Sequence, residues 1–231
     1  MKRYPIRGAD VLLYYNNELL AGQRNTTVDI TADTIDTSSK DNNGWKTALA
    51  GLREWSATLD AIELGGNEGK QQTLLMKAVL GGEPIPVKIV VPGKFVLSGY
   101  AALTSKNTSG EYSDVSLGSF ELKGADAPDI YFVPFIDKMT ASGTAITLKL
   151  TEANSAVVTG KTLKDCISVT DGTNAVTVSS ATLSSGSISV TTSAALTTST
   201  KYYATIAGGT LKNGDAVQAY EITEEAVATA A

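Results

Sequence analysis

The chain has 231 residues, 42% of them hydrophobic, and a formal net charge of -5. That length suits one large domain or two small ones with a real core. The acidic balance argues against tight binding to nucleic-acid phosphates, which needs clustered Lys and Arg. With no histidine and one cysteine, Cys166, histidine-dependent triads, histidine zinc sites and an intramolecular disulfide are all excluded.

The N-terminal stretch MKRYPIRGAD is charged and lacks an apolar run, so no Sec-type signal peptide is read there. No apolar stretch approaches the length of a membrane span. ADVLLYYNNELLAGQRNTTVDIT then reads as two strands around a polar turn at Asn16-Asn17, because Asn tolerates the left-handed backbone of tight hairpins.

TIDTSSKDNNGWKTALAGLREW, residues 34–55, reads as a long polar loop carrying both tryptophans, Trp45 and Trp55. A loop of that length is uncommon inside a compact domain. It is therefore either a lid over a site or an arm reaching outside its own domain. EWSATLDAIEL alternates Trp55, Ala57 and Leu59 against Ser56, Thr58 and Asp60, the pattern of a half-buried strand.

NEGKQQTLLMKAVLGGEP predicts the one helix, over about 67–80. Asn67 is its expected cap, and Gln71, Leu74, Leu75 and Ala78 share one narrow face. Gly81-Gly82 and Pro84 end it. IPVKIVV and KFVLSGYAALTSK follow as strands. SDVSLGSFELKG shifts its alternation across Gly118-Ser119, which predicts a bulge there.

Composition changes near residue 128. All four arginines and both tryptophans precede it, and the chain beyond is rich in Ser, Thr, Ala, Gly and Val. Two domains are expected, about 1–127 and 135–223, with a linker at 128–134 and a frayed tail at 224–231. The second reads as an all-β sandwich of short alternating strands from TAITLKLTE to TKYYATIAGG. Cys166, within DCISVTD, reads as a small core residue. VTDGTNAV and LKNGDAV read as hairpin turns, since the ligand spacing of an EF-hand is missing. The fold class is mainly β with one α-helix.

Chemistry is sparse. GGNEGKQQ lacks the Ser or Thr that follows the lysine of a phosphate loop. Asp29, Asp33, Asp36 and Asp41 surround the arm. A glycan hydrolase could use two of them without histidine, but its cleft would want more aromatic lining. The expectation is a protein that is not an enzyme, with no cofactor, metal or catalytic residue.

Taken together, VLLYYNNELLAG, the arm DTSSKDNNGW, LAGLREWSATLDAI, the lone helix and SGYAALTSKNTSGEYSDVSLGSFELKG resemble the major tail tube proteins of long-tailed bacteriophages. The resemblance covers roughly residues 5–125 and is to the group of lactococcal-type siphophage tail proteins. ALTTSTKYYATIAGGTLKNGDAV resembles the closing part of bacterial Ig-like modules, departing at Asn213.

The resemblance implies a tail-tube β-sandwich or barrel domain with a helix and an arm (about 31–55), followed by an Ig-like β-sandwich. It further implies a virion protein, made in the bacterial cytoplasm. Six copies would close into a ring, and rings would stack into a tube through which DNA passes. Its partners would be copies of itself and other tail proteins (tape measure, tail tip and terminator), with transient DNA and without a membrane span. Asp36, Lys40, Asp41, Trp45, Lys46, Arg53 and Trp55 would form the intersubunit arm, Trp being suited to binding hot spots. The Ig-like domain would sit outside, in weak contact with host-surface glycans. The competing reading is an Ig-like surface or adhesin module with no tube.

Overall fold

The computed structural model describes residues 5–43, 45–110 and 114–230. Gly44 of the arm and residues 111–113 of the quoted strand region lie outside them. Two units separate by their internal contacts. The first holds Arg7–Val90 and Leu97–Asp129; the second holds Val91–Val96 and the chain from Ile130 on.

In the first unit β1 (Leu12–Tyr15) turns at Asn16-Asn17 into β2 (Glu18–Leu19). Both asparagines have positive φ, 51° and 61°, as a two-residue hairpin requires. β3 (Gln23–Asp36), β4 (Ala48–Ile62), α1 (Lys70–Gly81), β5 (Ile85–Val91), β6 (Phe95–Ser109) and β7 (Leu117–Gly124) follow. They form one sheet in the order β2-β1-β5-β6-β7-β4-β3. β8 (Asp129–Phe132) falls almost wholly in the second unit.

The alternation expected on β4 is present. Trp55, Ala57, Leu59 and Ala61 are buried, and opposite them β7 contributes Phe120 and Leu122. The register irregularities, however, lie on β6 between Leu103 and Ser105 and on β3 at Gln23/Asn25 and Ala32/Thr34, not at Gly118-Ser119 of β7, which pairs with β4 without a break. Val115 simply precedes the strand.

α1 starts later than predicted. Gly69, not Asn67, takes the N-cap position, and no side chain caps it. A Cβ at Gly69 would collide with the Leu64 carbonyl, so this turn excludes larger caps. Gly82 ends the helix in the left-handed conformation, its N–H donating to the Ala78 carbonyl at 3.0 Å. The buried face holds Leu75 with two glutamines, Gln71 and Gln72. Gln72 docks the helix. Its amide accepts from Leu64 N–H (3.0 Å) and donates to the carbonyls of Ala21 (3.1 Å) and Ile62 (2.8 Å).

The second unit contains β9 (Ile136–Ser142), β10 (Ala145–Leu150), β11 (Ala156–Val157), β12 (Ile167–Thr170), β13 (Ala175–Val176), β14 (Val178–Ser184), β15 (Ser187–Thr192), β16 (Lys201–Ile206), β17 (Leu211–Asn213), β18 (Ala216–Val217) and β19 (Ile222–Val227). Two four-stranded sheets, β14-β15-β10-β9 and β13-β12-β16-β19, share one core that includes Ile146, Leu148, Ile188, Tyr202 and Ile206. β11, β17 and β18 form a third, smaller sheet. The Asp171 turn is held by its own carboxylate, which accepts from the N–H groups of Thr173 (2.8 Å) and Asn174 (2.6 Å). These hydrogen bonds keep the Asp171 carboxyl below the usual carboxylate range. Cys166 is partly exposed and is not a core residue.

The tail expected to fray is instead a strand. β19 pairs with β16 from Ile222↔Ile206 to Lys201↔Val227. Ala228 is buried, and Thr229 N–H donates to the Ala141 carbonyl at 2.9 Å. Small residues that looked uncommitted are what fits where the last strand meets β9.

Two outcomes follow. Gly124 lies under the indole of Trp55, where a Cβ would overlap the ring. Gly124→Ala should therefore destabilise the first unit by about 1–3 kcal/mol, the usual range for overpacking, read from urea unfolding followed by tryptophan fluorescence. Deleting residues 222–231 removes the partner of β16 and opens the second core. The expected result is loss of that unit's cooperative melting transition in calorimetry, with the first unit's transition retained.

Candidate assembly surface: the arm and the polar face of the sheet

The arm is a two-stranded ribbon with a short tip, not the long loop expected from sequence. β4 pairs with β7 only over Ser56–Ile62, while its ladder with β3 continues to Asp36↔Ala48. Among the described residues, Ala48–Glu54 thus leave the sheet with β3 as their only strand partner. At about 3.3 Å per residue, the ribbon stands out by roughly 20 Å.

The tip, residues 37–43 and 45–47, is tied by its own hydrogen bonds. Thr37 N–H donates to the Thr47 carbonyl at 2.9 Å, Thr47 N–H to Ser38 Oγ at 3.1 Å, and Trp45 N–H to the Asn42 carbonyl at 2.9 Å. Asn43 takes the left-handed conformation, φ 46°. Hydrogen bonds from the Ser38 hydroxyl and backbone N–H hold the Asp36 carboxyl below its usual range.

The residues singled out from sequence part into two groups. Asp36, Lys40, Asp41, Lys46 and Arg53 are exposed along the ribbon and tip, and Trp45 is 79% exposed. Trp55 is only 3% exposed, and its indole N–H donates to the Asp126 carbonyl at 2.9 Å. Its ring is committed to its own unit, where it anchors the base of the arm. It offers no surface to a neighbour.

Sequence reasoning missed the apolar residues of the ribbon. Ile35 (54%), Leu49 (63%) and Leu52 (83%) are exposed, and Ile35 stands directly opposite Leu49. A single exposed apolar side chain is ordinary. Here three of them share one protruding element with exposed Trp45. The signal was available as ALAGL inside an otherwise polar stretch, but its lack of alternation hid it.

The sheet's other face is polar. Register places Asn25, Asp60 and Ser119 in one row, Thr27, Thr58 and Glu121 in the next, and Asp29, Ser56 and Lys123 in a third. Glu54 pairs with Lys123 at 3.1 Å. Four carboxylates thus share this region with one lysine. The four carboxylates around the arm, Asp29, Asp33, Asp36 and Asp41, are all exposed. Among the described residues no His/Cys/Asp/Glu group is arranged to hold a metal. No helix of the described residues is long and apolar enough to cross a membrane.

A family model described as phage tail tube protein matches residues 6–129, more than half of the chain. No curated protein matches the sequence. A chain from the virion of a native gene transfer agent particle superposes with a TM-score of 0.50 at 22% identity, covering 54% of this chain and 97% of that one. A chain from the tail of an empty gene transfer agent particle gives 0.49 at 21% identity, over 53% and 96%. The SPP1 tail tube protein gives 0.43 at 16% identity, over 55% and 78%. The chain belongs to the phage tail tube protein family, and it is a structural component of the virion tail.

Proposed function

We propose that copies of this chain close into rings, six to a ring, and that the rings stack into a tube through which DNA passes. One observation carries the reading: the family-matched segment, residues 6–129, contains a ribbon that leaves its sheet bearing exposed Ile35, Trp45, Leu49 and Leu52. Such side chains are costly to leave in water and gain by burial against a neighbour. The outer edge of β3, an open row of backbone groups, favours the same outcome. Unpaired edges invite strand addition, and ring closure removes them. A head-to-tail interface closes in the plane, while axial stacking stays open and grows a filament.

The polar face is our choice for the channel wall. In its three rows across β3, β4 and β7, Asp29, Asp60 and Glu121, with Glu54 beside them, outweigh Lys123, and the other residues of those rows are small and uncharged. Anionic DNA would slide along such a wall without adhering. The opposite face holds the buried side chains Ala57, Leu59, Phe120 and Leu122, so it cannot serve.

The second unit we read as an Ig-like module on the outside of the tube, where it leaves the channel clear and can make weak contacts with host-surface glycans. Within the family we place the chain with the lactococcal-type siphophage tail proteins, on its arm and its closing strand LGSFEL. We assign it no enzymatic role; its partners are other copies and the remaining tail proteins.

Replacing Leu49 and Leu52 by Ser should leave the monomer's circular dichroism unchanged and raise the concentration needed for sedimentable assembly by about tenfold or more, a loss of roughly 1.4 kcal/mol or more for the two changes together. Unchanged assembly would remove the ribbon from the interface. Changing Asp29, Asp60 and Glu121 to Lys should leave tubes intact but make them retain short duplex DNA at low salt, with release as salt rises. Tubes of the triple variant that bind no more DNA than the parent would rule out this face as the wall.

A further inference from the structure

We infer that the tip of the arm has a specific seat on a second copy of this chain: a groove beside the base of that copy's own arm, into which Trp45 inserts. The inference rests on the tube reading and deepens it by naming the receiving surface.

The groove lies wholly in the first unit and has a volume of about 290 Å³. At about 30 Å³ per liquid water molecule, it displaces enough solvent to take one aromatic side chain. Its lining includes the Asn16-Asn17 turn, Gly99, Tyr100 and Asp126. Gly99 forms a thin floor. A Cβ there would stand 3.4 Å from the Trp55 ring and 3.3 Å from Pro128. Tyr100 is 51% exposed, leaving its ring free to pack against a second aromatic. Asn16 and Asn17 are held outward by their left-handed turn, and their side-chain oxygens can accept an indole N–H.

Charge makes the pairing specific. The tip carries Lys40 and Lys46 against Asp41, one net positive charge. The groove is lined by Asp126 and Asp129 against Lys88, one net negative charge. Complementary charge fixes register at an interface more than it adds affinity. Trp45, flanked by these lysines and 79% exposed, supplies the apolar area, as tryptophan does at binding hot spots.

The arm cannot fill its own groove. The groove floor touches Trp55 at the ribbon's base, whereas the β3–β4 ladder, after one register shift between Ala32 and Thr34, resumes and runs out to Asp36↔Ala48. That ladder keeps the tip roughly 20 Å from its base. The occupant is therefore another copy's tip.

The test uses the full-length chain with Cys166 changed to Ala. One preparation carries Lys46→Cys and the other Asp129→Cys, both retaining Trp45. They are mixed, assembled, pelleted and mildly oxidised. The expected result is a disulfide-linked pair joining the two variants in the pellet and absent from the unassembled fraction. The unmutated protein should also show a blue shift of tryptophan emission on assembly, since Trp55 is already buried and only Trp45 can move out of water. Lys46→Glu and Asp129→Lys should each raise the assembly threshold about tenfold, and the two together should restore it. Tubes that pellet without the cross-link, or charge reversals that do not compensate, would overturn the groove assignment alone. Failure of the unmutated protein to assemble at any concentration, with or without other tail proteins, would instead overturn the tube reading on which it rests.

Discussion

One strand serves two partners of unequal length, and much of the first unit depends on it. β4 gives its inner half to β7 and the core, and its outer half only to β3. Trp55 sits where the two lengths part. Its ring fills the space left by Gly124, and its N–H is tied to the Asp126 carbonyl. Below that point the side chains alternate between core and solvent. Above it there is no core on either face, and the ribbon keeps its shape by ladder hydrogen bonds and the network of its tip. A two-stranded ribbon is marginal alone in water, so a rigid base at Trp55 is what allows it to be presented outward at all.

The same period of two gives the sheet its two roles. Ala57, Leu59, Phe120 and Leu122 face inward, and Thr58, Asp60 and Glu121 face outward from the same strands. A one-residue slip would exchange them. Phe120, fully buried opposite Leu59, resists that slip. So does the Glu63–Lys106 ion pair at 2.7 Å, partly buried beside the Phe120 ring. Gly118 leaves room for the Glu63 carboxylate. The packing that stabilises the fold thus also decides which surface carries the acidic rows.

Much of this was legible in the sequence, for identifiable reasons. The strands that touch the core announced themselves by alternation, as in WSATLDAI, and α1 by its glycine stop. The tail-tube resemblance was carried by the arm and by LGSFEL, and the family match bears it out. What failed was where no core dictates the pattern. The ribbon has no buried face, so its strands carry Thr, Asp and Gly and read as a loop. The last strand, ITEEAV, runs straight into the small residues Ala228 and Thr229 that meet β9, and this acidic, small-residue end read as a frayed tail. The helix start was misplaced because a tight approach to Leu64 admits only Gly69. Trp55 already read as part of the alternating strand WSATLDAI and Trp45 did not, and the end of the β7 ladder at Ser56 marks where the buried ring gives way to the exposed ribbon.

The most direct test of the central claim is an electron cryomicroscopy reconstruction of whatever the purified protein forms as its concentration is raised, seeded with tail-tip extract if needed. The account predicts hollow tubes of stacked rings, with Thr58, Asp60 and Glu121 on the channel wall and α1 away from it. Monomers under every condition, or a tube whose channel is lined by α1, would contradict it.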